Sequence, residues 1–180
     1  MRRSLCCCAL VALSLAGVVP LGAQQTGPRN DRALRDTLVR IVLDMYAGWE
    51  PQSGSVTDAI ARGHKHFVTD STFAMIIDAT YRASYDQWVA RTAISIPTDF
   101  REYREQHHLI RDARLLPLGE RGAALTIFYC VDFVKTDGSR GTVKNGATLV
   151  FIRLAAGWKI AQYHGSHGVE IITDTKCAYS

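Results

Sequence analysis

The sequence of 180 residues predicts an α+β fold, a cone-shaped curved antiparallel sheet with helices packed on its concave face. Three observations lead there. Helix-period patterns fill the first half of the chain and strand patterns the second. Turn signals at residues 118–122, 137–138 and 155–157 divide the second half into a meander. The strands are apolar on both faces, so both faces need cover. Helices supply one cover, and the open end of such a cone makes a pocket.

The chain opens on a predicted signal peptide over residues 1–23. Arg2 and Arg3 form a short positive region, residues 5–19 an uncharged apolar run, and Ala23 a small residue at a cleavage point. The protein is therefore expected to be exported, periplasmic or secreted, with no stable membrane span after cleavage. Cys6, Cys7 and Cys8 leave with that segment. Cys130 and Cys177 remain, and two readings stand for them: a disulfide, permitted by export, or a buried strand cysteine and a free one in the tail. The formal charge is +4, and without Arg2 and Arg3 about +2. That balance, with bases scattered among acids, gives no case for nucleic acid as a partner.

Residues 24–30 read as a loose leader, followed by one domain over 31–168 and a tail over 169–180. A helix starts near Asn30 or Asp31, either able to cap it. Leu34, Leu38, Ile41, Val42, Met45 and Trp49 mark its apolar face, and Pro51 ends it. Ser55 or Thr57 starts a second, short helix that Gly63 weakens. Residues 72–78 read as a strand. Ser84 opens a helix over 85–94, ended or kinked at Pro97, with a further turn after Thr98. Strands are expected over 108–117, 123–135, 142–154 and 158–166.

The last two strands carry a recognisable pattern: Thr148-x-Val150-Phe151-x-Arg153, then Gly157-Trp158-Lys159-Ile160, then His164-x-Ser166. It resembles the SnoaL-like branch of the nuclear transport factor 2-like superfamily, which includes ketosteroid isomerases and polyketide cyclases. The resemblance covers residues 31–168. It implies the cone fold, a pocket between helices and sheet, and a homodimer through the outer sheet face. It does not imply one activity. Where the related kinase association domain carries pocket arginines, the matching positions here hold Tyr129, Leu149 and Gly165. The acid–base pair of the isomerases has no match by motif.

Three residues stand out for chemistry. His164, near the end of the last strand, is the first choice for moving a proton, and a structural hydrogen bond is its competing role. It shares parity with Trp158 and Ile160, but pairing as in the kinase domain turns Tyr163 and Gly165 to the pocket instead. Asp78 ends an apolar strand and reads as a base or as a turn residue. Tyr129 reads as an oxyanion donor or a core tyrosine. Pocket walls are expected from Tyr46, Trp49, Trp88, Leu149, Phe151 and Tyr163. The spacings His64-x-His66, His107-His108 and His164-x-x-His167 give no convincing metal site, and no cofactor motif is present. The leading expectation is an exported domain binding a small apolar molecule. The alternatives are a lyase or isomerase acting by proton transfer on a carbonyl compound, and a dimerisation module.

Overall fold

The computed structural model describes residues 28–78, 81–173 and 177. The signal peptide expected over 1–23 lies outside them. Three helices and one curved sheet form the domain. Helix α1 spans Pro28–Trp49, beginning earlier than the expected Asn30 or Asp31 cap, so Asp31 falls in its first turn, where its charge suits the helix dipole. Leu38, Val42, Met45 and Tyr46 are its buried stripe. A short 3-10 turn, Pro51–Ser53, leads to α2, Val56–His64, capped by Ser55, whose Oγ accepts from Asp58 N–H at 3.1 Å.

Strands β1 (Ala74–Ile77) and β2 (Tyr81–Ala83) pair antiparallel. Helix α3 runs Tyr85–Glu102 and opens with a capping box: Gln87 N–H donates to Ser84 Oγ, and Ser84 N–H to Gln87 Oε1. Of the end or kink expected at Pro97, the end does not occur. The helix continues to Glu102, with Thr98 Oγ1 donating to the Ile94 carbonyl at 3.0 Å inside the proline's own turn. Trp88, Thr92 and Ile96 are the buried anchors that hold the preceding turns.

The expected four-stranded meander follows: β3 Tyr103–Pro117, β4 Gly122–Lys135, β5 Arg140–Leu154 and β6 Gly157–Ser166. Strand β3 starts five residues before the expected 108, in place of the expected helical turn to Gln106, because α3 ends at Glu102 and Tyr103 already pairs with Lys135. A short strand β7, Glu170–Ile172, pairs with β5. The spatial order is β2-β1-β6-β5-β4-β3. Pairing is antiparallel except between β1 and β6, which run parallel. Register shifts in β3 at Tyr103/Glu105 and Ile110/Asp112, and between β5 and β6 at Val150/Phe151, bend the sheet.

The helices sit on the concave face. There Leu125, Ile127, Leu149, Phe151 and Ile160 are fully buried and join the buried stripe of α1 in one core. The last register shift decides which side chains face inward. Val150 pairs with Gln162 but Phe151 with Ile160, so Ala161 is an extra residue. Past it the parity reverses, and Tyr163 and Gly165 turn inward while His164 and Ser166 turn out. On the outer face Cys130 and Cys177 are joined, with Cα atoms 6.1 Å apart, so the bridged alternative holds. Among the described residues no helix is long and apolar enough to cross a membrane.

Candidate active site in the cone

A cavity of about 480 Å³ opens between the helices and the concave sheet face. Its apolar walls follow from the elements above. Tyr46 and Trp49 come from the last turn of α1, Trp88 from α3, and Met75 and Ile77 from β1. Trp49 and Trp88 meet edge to face at 5.7 Å. The sheet contributes Tyr129 and Tyr163.

Three phenols converge in this wall. Tyr163 Oη lies 3.0 Å from Tyr46 Oη and 3.3 Å from Tyr129 Oη. Burial pushes the Tyr46 and Tyr163 hydroxyls well above the usual phenol range; Tyr163 and Tyr129 add to the rise at Tyr46, and Tyr129 adds to it at Tyr163, where the bond with Tyr46 acts the other way. Both therefore stay neutral and remain donors at any physiological pH.

Beside them is a histidine–carboxylate pair. The His108 ring stacks on Tyr46, with centroids 4.4 Å apart and an interplanar angle of 7°. Glu50 Oε1 lies 3.1 Å from His108 Nδ1 and accepts the His108 backbone N–H at 2.8 Å. Glu50 Oε2 accepts from Gln52 Nε2 at 3.0 Å, and Gln52 in turn bonds the backbone of Gln106. The two side chains are only 12% and 15% exposed. A carboxylate at Nδ1 fixes the tautomer that carries its proton there and leaves Nε2 as a base.

The polar end of the cavity is formed by α3 and β7. Asp99 lines it, and burial, followed by the charge of Glu102, pushes its carboxyl up to about 6. Tyr103 donates to Glu170 Oε1, while Lys135 Nζ binds Glu170 at 2.8 Å and Glu102 at 3.1 Å. Burial raises Tyr103 above its ordinary range, and Glu170 adds to the rise. Burial alone would raise Glu170, but the bonds from Lys135 and Tyr103 outweigh it and hold its carboxyl low.

The residues chosen from sequence divide. Tyr129, Tyr46, Trp49, Trp88 and Tyr163 line the cavity. Leu149 and Phe151 are fully buried in the core and do not reach its wall, because the α1 stripe packs over them. His164 is exposed on the outer sheet face opposite Thr148, turned there by the Ala161 bulge. Asp78 stands at the mouth, where its carboxylate holds His167, itself on the cavity rim. Glu50, His108, His167 and Asp99 were not among the chosen residues. His108 pairs with Val131, on the same side of β4 as Tyr129, and register alone would have turned it inward.

The other histidines have structural partners. His64 Nε2 lies 2.9 Å from Thr92 Oγ1, with its ring against Trp88. His66 Nε2 lies 2.8 Å from Asp44 Oδ2. Among the described residues, no three of His, Cys, Asp and Glu converge on a metal position.

Three helices on the concave face of a curved sheet, enclosing an aromatic pocket, define a cone-type α+β domain. The chain belongs to the SnoaL-like domain family, which matches residues 61–170. Among solved structures it is similar to a hexachlorocyclohexane dehydrochlorinase, LinA type 2, with 13% identity, 84% of this chain and 97% of that chain covered, and a TM-score of 0.62. It is also similar to a nuclear transport factor 2-like protein of unknown function from Shewanella oneidensis, with 16% identity, coverage of 73% and 97%, and a TM-score of 0.54. The association domain of C. elegans CaMKII aligns at 13% identity, coverage of 76% and 98%, and a TM-score of 0.58. No curated protein sequence matches. At these identities the likeness establishes the fold, and activity has to be argued from the site.

Proposed function

We propose that the cone binds a small, largely apolar molecule bearing a carbonyl and removes a proton next to that carbonyl. The observation that carries this reading is the Glu50–His108 pair stacked on Tyr46, beside the three joined phenols. His108 Nε2 takes the proton, with Glu50 stabilising the imidazolium that forms. The Tyr46–Tyr163–Tyr129 cluster donates to the developing enolate oxygen. Aromatic walls hold the apolar body of the substrate. The catalytic roles thus pass from His164 and Asp78 to His108 and Glu50, while Tyr129 keeps its place.

The test uses α-tetralone, a ketone with an exchangeable α-proton, followed by NMR in deuterium oxide. The protein should accelerate exchange, and His108→Gln and Glu50→Gln should each lower the rate by about 100-fold. Binding of the ketone without exchange would leave a carrier rather than an enzyme. Exchange that survives His108→Gln would remove His108 as the base.

We further propose that the protein is exported and that a second copy covers the outer sheet face. The signal-like residues 1–23 and the Cys130–Cys177 bridge support an oxidising destination. Phe128, 43% exposed, and the partly buried Ala124, Val150 and Ile152 leave that face apolar. Sedimentation at micromolar concentration should give a dimer, and Phe128→Asp a monomer. A wild-type monomer would refute the second copy.

A further inference from the structure

One face of α3 runs the length of the cavity. Trp88, Thr92, Ser95 and Asp99 follow one another at i, i+4, i+7 and i+11 and all line it. The row covers about 16 Å along the helix axis. Trp88 stands at its aromatic end, against Trp49. Asp99 stands at its polar end, in the last turn of α3, where the Tyr103 N–H holds its backbone carbonyl.

The charges around Asp99 are unequal. Glu102 and Glu170 share Lys135, at 3.1 and 2.8 Å, and Glu170 takes a further bond from Tyr103. Among the described residues no hydrogen bond or ion pair reaches the Asp99 carboxyl. Three things disfavour a negative charge on it. It is partly buried, Glu102 is close, and the C-terminal turn of a helix carries the negative end of the dipole. Arg91 also lines the cavity, but it lies eight residues earlier on α3, about 12 Å along the axis, and serves another part of the wall. Asparagine would keep the shape of Asp99 without the unfavourable charge. A carboxyl that costs the fold stability, aimed at a ligand cavity and unmatched inside the protein, fits a positive charge brought by the ligand.

We propose that Asp99 is the specificity-determining residue at the far end of this cavity and pairs with an ammonium group of the ligand, so that the substrate class is an elongated ketone with a basic amine at the end away from the carbonyl. The inference rests on the carbonyl-binding reading above and narrows its substrate class. Tyr103 and His108 mark the two ends on one strand, five residues or about 17 Å apart along β3. The carbonyl at the phenols and the amine at Asp99 therefore belong to opposite ends of the molecule, joined by an apolar body along Trp88 and Trp49. An ammonium answers all three unfavourable features at once. A hydroxyl would leave the charge of Asp99 uncompensated, and a carboxylate would be repelled by Asp99, Glu102 and Glu170 together.

The experiment uses the full chain and three probes that share one phenylalkyl body and differ at the end: phenylbutylamine, phenylbutanol and phenylpentanoate. They need not reach His108, so they test Asp99 separately from the chemistry. Binding is read by quenching of tryptophan fluorescence, since Trp49 and Trp88 stand in the wall. At pH 7 the amine should bind about 10-fold more tightly than the alcohol, and the carboxylate more weakly than either. Asp99→Asn should remove the preference for the amine and leave the affinity for the alcohol within about two-fold. The wild type supplies a second measurement. Burial, followed by the charge of Glu102, pushes the Asp99 carboxyl up to about 6, while the amine stays protonated well above pH 7. Lowering the pH from 7 to 5 protonates Asp99, so amine affinity should fall by about 10-fold. The imidazoles of His108 and His167 also line the cavity, so the pH effect is read as the difference between wild type and Asp99→Asn. Glu170 is held low and Tyr103 high, and neither titrates in that window.

Equal binding of amine and alcohol, an amine preference that survives Asp99→Asn, or no binding of any probe overturns the proposal. Exchange on α-tetralone is measured in parallel and keeps the two readings apart. Exchange without an amine preference removes the role of Asp99 and leaves His108 as the base. An amine preference that depends on Asp99, without exchange, keeps Asp99 as the selector of a bound amine and removes the proton abstraction.

Discussion

The hydroxyls of Tyr46 and Tyr163 meet at 3.0 Å although the residues are 117 positions apart. One comes from the buried stripe of α1 and the other from β6, so this bond ties the helical roof to the sheet. Tyr163 also serves Tyr129. Tyr163→Phe removes the hydroxyl that both neighbours share while keeping the ring that fills the space. The expected loss is about 1–3 kcal/mol of stability, measurable by urea unfolding. Exchange on α-tetralone should fall by about 10-fold, since the phenols that would face an enolate lose their connection. A variant as stable as wild type and equally active would show that the hub has no role beyond packing.

Asp99 makes a prediction about pH whose sign is opposite to that of a salt-bridged carboxylate. Its folded carboxyl holds a proton up to about pH 6, against an ordinary value of 3.8. Between those values the folded state binds more protons than the unfolded state, so stability falls as pH rises through the window and stays lower above it. Two units correspond to about 3 kcal/mol, and solvent screening at this half-buried position reduces that to about 1 kcal/mol. Asp99→Asn should therefore be about 1 kcal/mol more stable than wild type at pH 7 and nearly equal to it at pH 4. Unfolding curves at the two pH values check this, and an Asn variant that is less stable at pH 7 would contradict it.

Much of the fold was legible because it rests on local patterns. The meander follows turn chemistry at residues 118–122, 137–138 and 155–157, and α1 follows its apolar period. What was hidden depends on single residues or on distant pairings. One bulge residue, Ala161, reverses the parity of β6 and sends His164 outward and Tyr163 inward. No alternation pattern marks it, since Ile160, Ala161 and Tyr163 are all buried. The Glu50–His108 pair joins residues 58 apart, one just past a helix and one on an edge strand. The parallel seating of β1 on β6, which brings Asp78 to His167, has no local signature at all. The continuation of α3 past Pro97 was hidden for a related reason, since tertiary burial overrides a proline that local propensity treats as a stop.

Gly63 lies inside α2, where helix propensity favours alanine over glycine by about 1 kcal/mol. Packing reverses that preference. A Cβ at this position would stand 1.8 Å from Trp49 Nε1 and 2.7 Å from Trp49 Cδ1. Its neighbour across the helix crossing, Gly48, would meet Gly63 N at 2.9 Å. Gly63→Ala must therefore displace the indole or separate α1 from α2, and should destabilise the domain by about 1–3 kcal/mol. Because Trp49 is also a cavity wall, the same substitution should alter tryptophan fluorescence and weaken binding of an aromatic ketone. Thermal unfolding and a fluorescence spectrum suffice to check it. A gain in stability would mean that propensity, and not the crossing, governs this position.

The Cys130–Cys177 bridge closes a loop with a sequence separation of 47 residues and holds Cys177 on the outer face of β4. The attachment is reinforced on both sides: Cys177 N–H donates to Asp132 Oδ1 at 3.0 Å, and Arg111 Nη2 donates to the Cys177 carbonyl at 2.6 Å. Cross-linking a loop of this length restricts the unfolded chain, and its removal should lower stability by about 2–4 kcal/mol. The Cys130→Ser/Cys177→Ser double variant should show that loss directly. Added reductant should bring the wild type down to the level of the variant and leave the variant itself unmoved. The two polar contacts do not depend on the sulfurs, so a reduced wild type that keeps its full stability would assign the anchoring to Asp132 and Arg111 instead.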